Sequence, residues 1–162
     1  MSAAVKLRRA PGRLAAGAFI LNSGLGKLKA DEQTAQALHG MAAGAYPFLA
    51  RVDAKTFVRA LSASEIALGG ALLLPIVPAA VAGAGLAAFS GGLLGLYWRT
   101  PGMHPSGDPR PTQQGIALAK DSWLAGIAGG LLLDALVPDI RTRRAERRAD
   151  KAERRALHAE SR

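Results

Sequence analysis

Cysteine is absent from all 162 residues. That excludes disulfides, iron–sulfur ligation, haem attachment through C-x-x-C-H and thiol redox chemistry by the chain itself. Charge is missing over a long interval as well. Between Arg59 and Arg99 the one charged residue is Glu65, and the 33 residues from Ile66 to Trp98 carry none. A phosphate-cradling loop, a dinucleotide fingerprint, a nucleophile elbow and a zinc signature are also lacking. These absences leave a chain whose apolar runs need an explanation.

Bulk composition does not give one. At 49% apolar and 20% charged residues, the totals would suit a soluble single domain. Distribution decides instead. A helix in water shows a polar stripe every few residues because one face meets solvent. Residues 66–98 show none. A membrane span takes about 20 apolar residues, so this run is too long for one span. A single helix over 57–98 would be about 63 Å long, twice the hydrocarbon thickness. Pro75-Ile76-Val77-Pro78 therefore reads as a tight turn between two spans.

Four spans are expected, at about 11–28, 57–74, 79–98 and 118–137. The first, LAAGAFILNSGLGKL over 14–28, follows a basic segment and resembles a signal-peptide core in length. Asn22, Gly24, Gly26 and Lys27 interrupt its end without a small-residue cleavage site, so it reads as retained. It reaches spanning length if it starts near Pro11 and Lys27 snorkels to the headgroups. Residues 30–57 form the longest polar connection. Asp31 is placed to cap a surface helix there, which Tyr46-Pro47 ends. Tyr46, Phe48 and Phe57 suit a membrane interface, as do Tyr97, Trp98 and Arg99 at the close of the third span. Residues 100–115 hold four prolines and three glycines and read as a loop. Trp123 opens the fourth span and Pro138 ends it. The predicted fold is all-α: a four-helix transmembrane bundle of residues 11–138, preceded by a basic N-terminus at 1–10 and followed by a basic helical tail at 139–162.

Charge sets the expected orientation. The net charge is +9, and it sits at the ends. Lys6, Arg8, Arg9 and Arg13 precede any acid. Residues 139–162 hold nine basic and five acidic residues. Lys and Arg near span ends mark the cytoplasmic side, so both termini are expected in the cytoplasm of a cell with the spans in its inner (plasma) membrane. That requires an even number of spans and puts the 75–78 turn inside. In the tail, Arg141, Arg143, Arg144, Arg147 and Arg148 are expected to touch anionic inner-leaflet lipid or a protein partner. Lipid lies closer to them than nucleic acid does, and no nucleic-acid partner is expected.

Ionisable residues inside a membrane are costly and usually face inward or serve function. Glu65 is the clearest case. The expected topology brings Lys27, Glu65 and Asp121 to one membrane depth, with Lys120 beside them and Asn22 beneath on the first span. Such a cluster can hold a quinone head group, relay a proton or bind a small polar ligand. It can equally be a fully paired network that fixes helix register. Asp134 is expected to meet Arg13 or the basic tail. Small residues at steps of four should let helices approach closely, at Ala79, Gly83, Ala87, Gly91 and Gly95 and at Ser122, Gly126, Gly130 and Asp134, against the bundle or a second subunit. His39 with Met41 and Met103 with His104 hint at copper, but their spacing fits no ligand pattern and no metal site is expected.

Three segments resemble the DoxX family of small bacterial membrane proteins. They are RLAAGAFILNSGLGKL at 13–28, SASEIALGGALLLP at 62–75 and AKDSWLAGIAGGLLLDAL at 119–136. The resemblance implies a four-helix membrane fold and matches Lys27, Glu65, Lys120 and Asp121 to family positions. It also implies association with membrane redox complexes, with quinone as a possible cofactor. The long 30–57 segment and the basic tail extend beyond the basic family pattern. Three functions stay open: an accessory subunit of a redox or envelope complex, without catalysis of its own; a quinone-linked oxidoreductase component; and a small-solute transporter. No haem or flavin motif favours the second, and no internal repeat favours the third.

Overall fold

A computed structural model describes the backbone of residues 3–136 and the side chains of residues 7–136. The basic tail, with Arg141, Arg143, Arg144, Arg147 and Arg148, lies outside the described residues. Within them the chain is helical and has no strand: α1 (Ala3–Lys27), α2 (Glu32–Ala45), α3 (Ala54–Leu73), α4 (Ala79–Arg99), α5 (Ile116–Ala119) and α6 (Ser122–Leu136), with a single 3-10 turn at Pro47–Arg51.

Local chemistry sets the boundaries. Asp31 accepts the Thr34 amide at 2.8 Å and starts α2, as its position predicts. Asp53 does the same for α3 through the Thr56 amide at 3.0 Å, so α3 begins three residues before its expected start. Each carboxylate satisfies a donor that the first helical turn leaves without a partner. Pro75 and Pro78 bound the turn between α3 and α4. Helix α1 is longer than its expected span and runs back through Pro11 to Ala3, taking in residues of the basic N-terminal segment.

Three stretches are long and apolar enough to cross a membrane: Ala54–Leu73, Ala79–Arg99 and Ile116–Leu136. Of these, 28%, 28% and 17% respectively is buried within the chain. Most residues of each stretch are therefore at least partly accessible and apolar, which is the pattern lipid contact requires. Helix α1 is long enough at 25 residues, but its first half carries Lys6, Arg8, Arg9 and Arg13, and these lower its hydropathy.

Helix α1 lies antiparallel along α3, and α4 antiparallel along α6; contact between the two pairs is thinner. Ala16 and Ile20 of α1 meet Leu72 of α3, Ala82 and Leu86 of α4, and Leu124, Ala128 and Leu131 of α6 in one core. Glycines make the α1–α3 approach possible. A methyl on Gly69 would sit 2.7 Å from the Leu21 backbone, and one on Gly24 would sit 2.9 Å from the Ile66 amide nitrogen. The small-residue stripes predicted on α4 and α6 pack only in part, and Gly91 of α4 meets nothing within 4 Å. Gly83 packs against Leu131 and Leu132, but a methyl on Gly126 or Gly130 would meet nothing within 4 Å. Ser122, Gly126 and Gly130 are exposed because Leu124, Ala128 and Leu131 form the buried side of α6, whereas Asp134 at the end of the row turns to α1.

Candidate functional site

The helices create two chemically distinct ends. At one end lie the N-terminal half of α1, the C-terminus of α6 and the α3–α4 turn. Arg13 there donates to four carbonyls: Leu72 (2.7 Å), Ala71 (2.8 Å), Leu74 (2.8 Å) and Val77 (3.0 Å). It closes the α3 C-terminus, whose last carbonyls have no helical partner, and ties the turn to α1. Asp134 pairs with Arg8 at 2.6 Å and with Arg9 at 2.9 Å. The expected Asp134–Arg13 contact does not form, because backbone carbonyls already occupy the Arg13 guanidinium.

The opposite end holds a cavity of about 420 Å³. It opens between the α1–α3 and α4–α6 pairs. Phe19, Ile20, Phe57, Leu61, Phe89 and Leu93 supply apolar walls. Leu38, Met41 and Tyr46 of the α2 region, with Leu49 of the 3-10 turn, lie across it. The Tyr46 hydroxyl donates to the Gly92 carbonyl at 2.8 Å, and the Arg99 guanidinium stacks 4.9 Å above the Tyr46 ring. These contacts hold the end of α2 against α4. Gly95 is needed beside them, since the Tyr46 hydroxyl occupies the place a side chain would take.

Ser23, Lys27 and Glu65 form a polar cluster in the wall of this cavity. Lys27 Nζ donates to Glu65 Oε1 at 3.0 Å, to Glu65 Oε2 at 2.9 Å and to Ser23 Oγ at 2.7 Å. The Glu65 side chain is 4% exposed and that of Lys27 19%. Behind them the buried Ser62 hydroxyl donates to the Gly24 carbonyl at 2.7 Å and locks the two helices in register. Asp121 also lines the cavity. It stands where the last span is broken: α5 ends at Ala119, α6 begins at Ser122, and the Asp121 amide bonds back to the Leu118 carbonyl. Interrupted helices at membrane depth are tolerated where they line a cavity.

Lys27, Glu65 and Asp121 are thus brought to one cavity. Lys120 and Asn22 are not. Lys120 is exposed beyond the cavity wall, and Asn22 is exposed on the outer side of α1. One residue turns a helix by about 100°, so Asn22 points away while Ser23 points in. The spacing Ile20, Ser23, Lys27 marks one helical face, and that signal would have selected Ser23. The cover formed by α2 had no comparable signal, because nothing in its sequence says where a surface helix docks.

The two His–Met pairs do not converge. His39 Nε2 lies 3.0 Å from the Leu49 carbonyl, and His104 packs between Tyr97 and Trp98. Among the described residues no group of three His, Cys, Asp or Glu side chains is placed to hold a metal ion.

Fold and site together define a class: an all-helical protein with three membrane-capable helices and an apolar cavity floored by a buried ion pair. No protein-family model, curated protein or solved structure matches the chain.

Proposed function

We propose that the chain is a DoxX-like integral membrane protein that crosses the inner membrane four times and serves as an accessory subunit of a redox or envelope complex. In this role it holds a small membrane-soluble molecule and does not transform it. The cavity carries the reading. It is apolar on most sides, polar on one and covered by α2, as a site for an amphipathic ligand is. Helix α1 is the fourth span. Its charge-free stretch after Arg13 lies in hydrocarbon, Lys27 snorkels inward to Glu65, and Arg8 and Arg9 stay at the cytoplasmic surface with Asp134. The antiparallel packing of α1 on both α3 and α6 supports an even number of crossings.

The quinone-linked alternative draws on the same cavity and on the family resemblance. It is weaker on chemistry, because a quinone presents carbonyl acceptors while the Lys27 donors are already engaged. The transporter alternative draws on the broken α5–α6 span.

The native absence of cysteine makes topology directly testable. Single Ser106→Cys and Ile76→Cys variants are treated with a membrane-impermeant thiol reagent on intact cells. Four spans require labelling at 106 and protection at 76. Labelling of both from one side overturns the assignment. Purification in mild detergent, with mass spectrometry of proteins and small molecules, tests the accessory role. Companion subunits or a retained small molecule are expected, and a chain that emerges with neither contradicts it.

A further inference from the structure

The polar side of the cavity has an unequal supply of donors and acceptors. Its wall carries five polar side chains: Ser23, Lys27, Tyr46, Glu65 and Asp121. Lys27 Nζ already lies within hydrogen-bond distance of Ser23 and of both Glu65 oxygens, so its ammonium is turned to the protein. The Tyr46 proton goes to the Gly92 carbonyl. What remains to donate is the Ser23 hydroxyl. Acceptors are plentiful. Each Glu65 oxygen keeps a second lone pair, and the Asp121 carboxylate accepts no hydrogen bond and joins no ion pair among the described residues. The cavity lining therefore holds two carboxylates and one ammonium among apolar walls.

Such a wall discriminates by charge. An anionic head would meet a second negative group with no free donor, and a carbonyl head would find one hydroxyl. A protonated amine supplies the missing positive charge and donors for the unpartnered Asp121 carboxylate. Charge-assisted bonds of this kind are the strong ones in a low-dielectric site. The apolar walls then take a hydrocarbon body. We propose that the cavity binds a lipophilic amine, with its ammonium on Asp121 and its apolar body toward Phe19 and Phe89. This rests on the cavity being a ligand site, the reading given above, and adds the charge of its occupant.

Three adamantane derivatives of one shape and different charge test it: 1-aminoadamantane, 1-adamantanol and 1-adamantanecarboxylate. Binding to the full chain in phosphatidylcholine nanodiscs at pH 7 is measured by saturation-transfer NMR, with empty nanodiscs subtracted. The amine is expected to bind about tenfold or more tighter than the alcohol, as bonds to a charged group require, and the carboxylate to show no binding. Asp121→Asn should remove that advantage and leave alcohol binding unchanged. Lys120→Gln, next door but off the cavity, should change neither. Equal binding of amine and alcohol to the native chain overturns the charge assignment while leaving the cavity reading intact. Preference for the carboxylate also overturns it. An amine advantage that survives Asp121→Asn overturns it too. Failure of all three to bind a folded chain sinks both readings.

Discussion

The two ends of the bundle carry similar residues to different effect. At the turn end, Arg13 is surrounded by four carbonyls, and Arg8 and Arg9 share Asp134. Those charges join one part of the chain to another. At the cavity end, Lys27 joins Glu65 in the same way, but Asp121 is left over among the described residues and open space adjoins the pair. A carboxylate left without a partner, with room beside it, is what the proposed ligand would use. Lys27, Glu65, Lys120 and Asp121 all fall at the second end. Three of those four line the cavity.

The contrast is strongest at Arg13. Replacing it by Met removes four hydrogen bonds and leaves the α3 C-terminus without its partner. A loss of about 3 kcal/mol of stability is expected, seen as a lowered thermal midpoint in detergent. Adamantane binding at the far end should be unchanged in the surviving folded fraction. Loss of ligand binding in step with stability would show that the two ends are not separate in function.

Glu65→Ala comes next. It strands the Lys27 ammonium, and breaking one side of a buried pair costs about 3 kcal/mol or more. Lys27 reaches solvent in part, which lowers the expected loss to roughly 2 kcal/mol. The double variant Lys27→Met with Glu65→Leu should recover most of that, because both charges leave together. No recovery would mean that Glu65 has a further partner and that the pair is not self-contained.

The smallest effect belongs to the caps at the cavity end. Bonds from the Thr34 and Thr56 amides hold the Asp31 and Asp53 carboxyls below their ordinary value of 3.8. A carboxyl lowered on folding adds stability above its unfolded value and loses it as pH falls through the folded one. The caps should therefore be at full strength at neutral pH and weaken below the ordinary carboxylate range. Both side chains are fully exposed, so the change should be slight, and Asp31→Asn should flatten its share. Acid titration followed by circular dichroism reads this out.

Much of the secondary structure is legible in the sequence because it rests on local rules. The Pro75–Pro78 turn, the Asp31 cap, the Tyr46-Pro47 stop and the loop at 100–115 all follow from backbone chemistry within a few residues. Spacing identifies the α6 stripe as a row of small residues but not as an outward one, since it does not say which face meets a neighbour. Nearness in sequence to the charged residues points to Asn22, whereas helical phase selects Ser23. Membrane depth points Asp134 toward Arg13, and depth leaves several arginines within reach.

By itself the sequence determined the helices, their apolar character and the depth at which charge recurs, because hydrophobic run length and helix-ending residues act locally. Tertiary structure alone decided which arginine meets Asp134, that α2 lies across a cavity and that Asp121 is left without a partner among the described residues. Those outcomes depend on how Gly24 and Gly69 let α1 approach α3, and on the side chains that remain facing the gap once that approach is made.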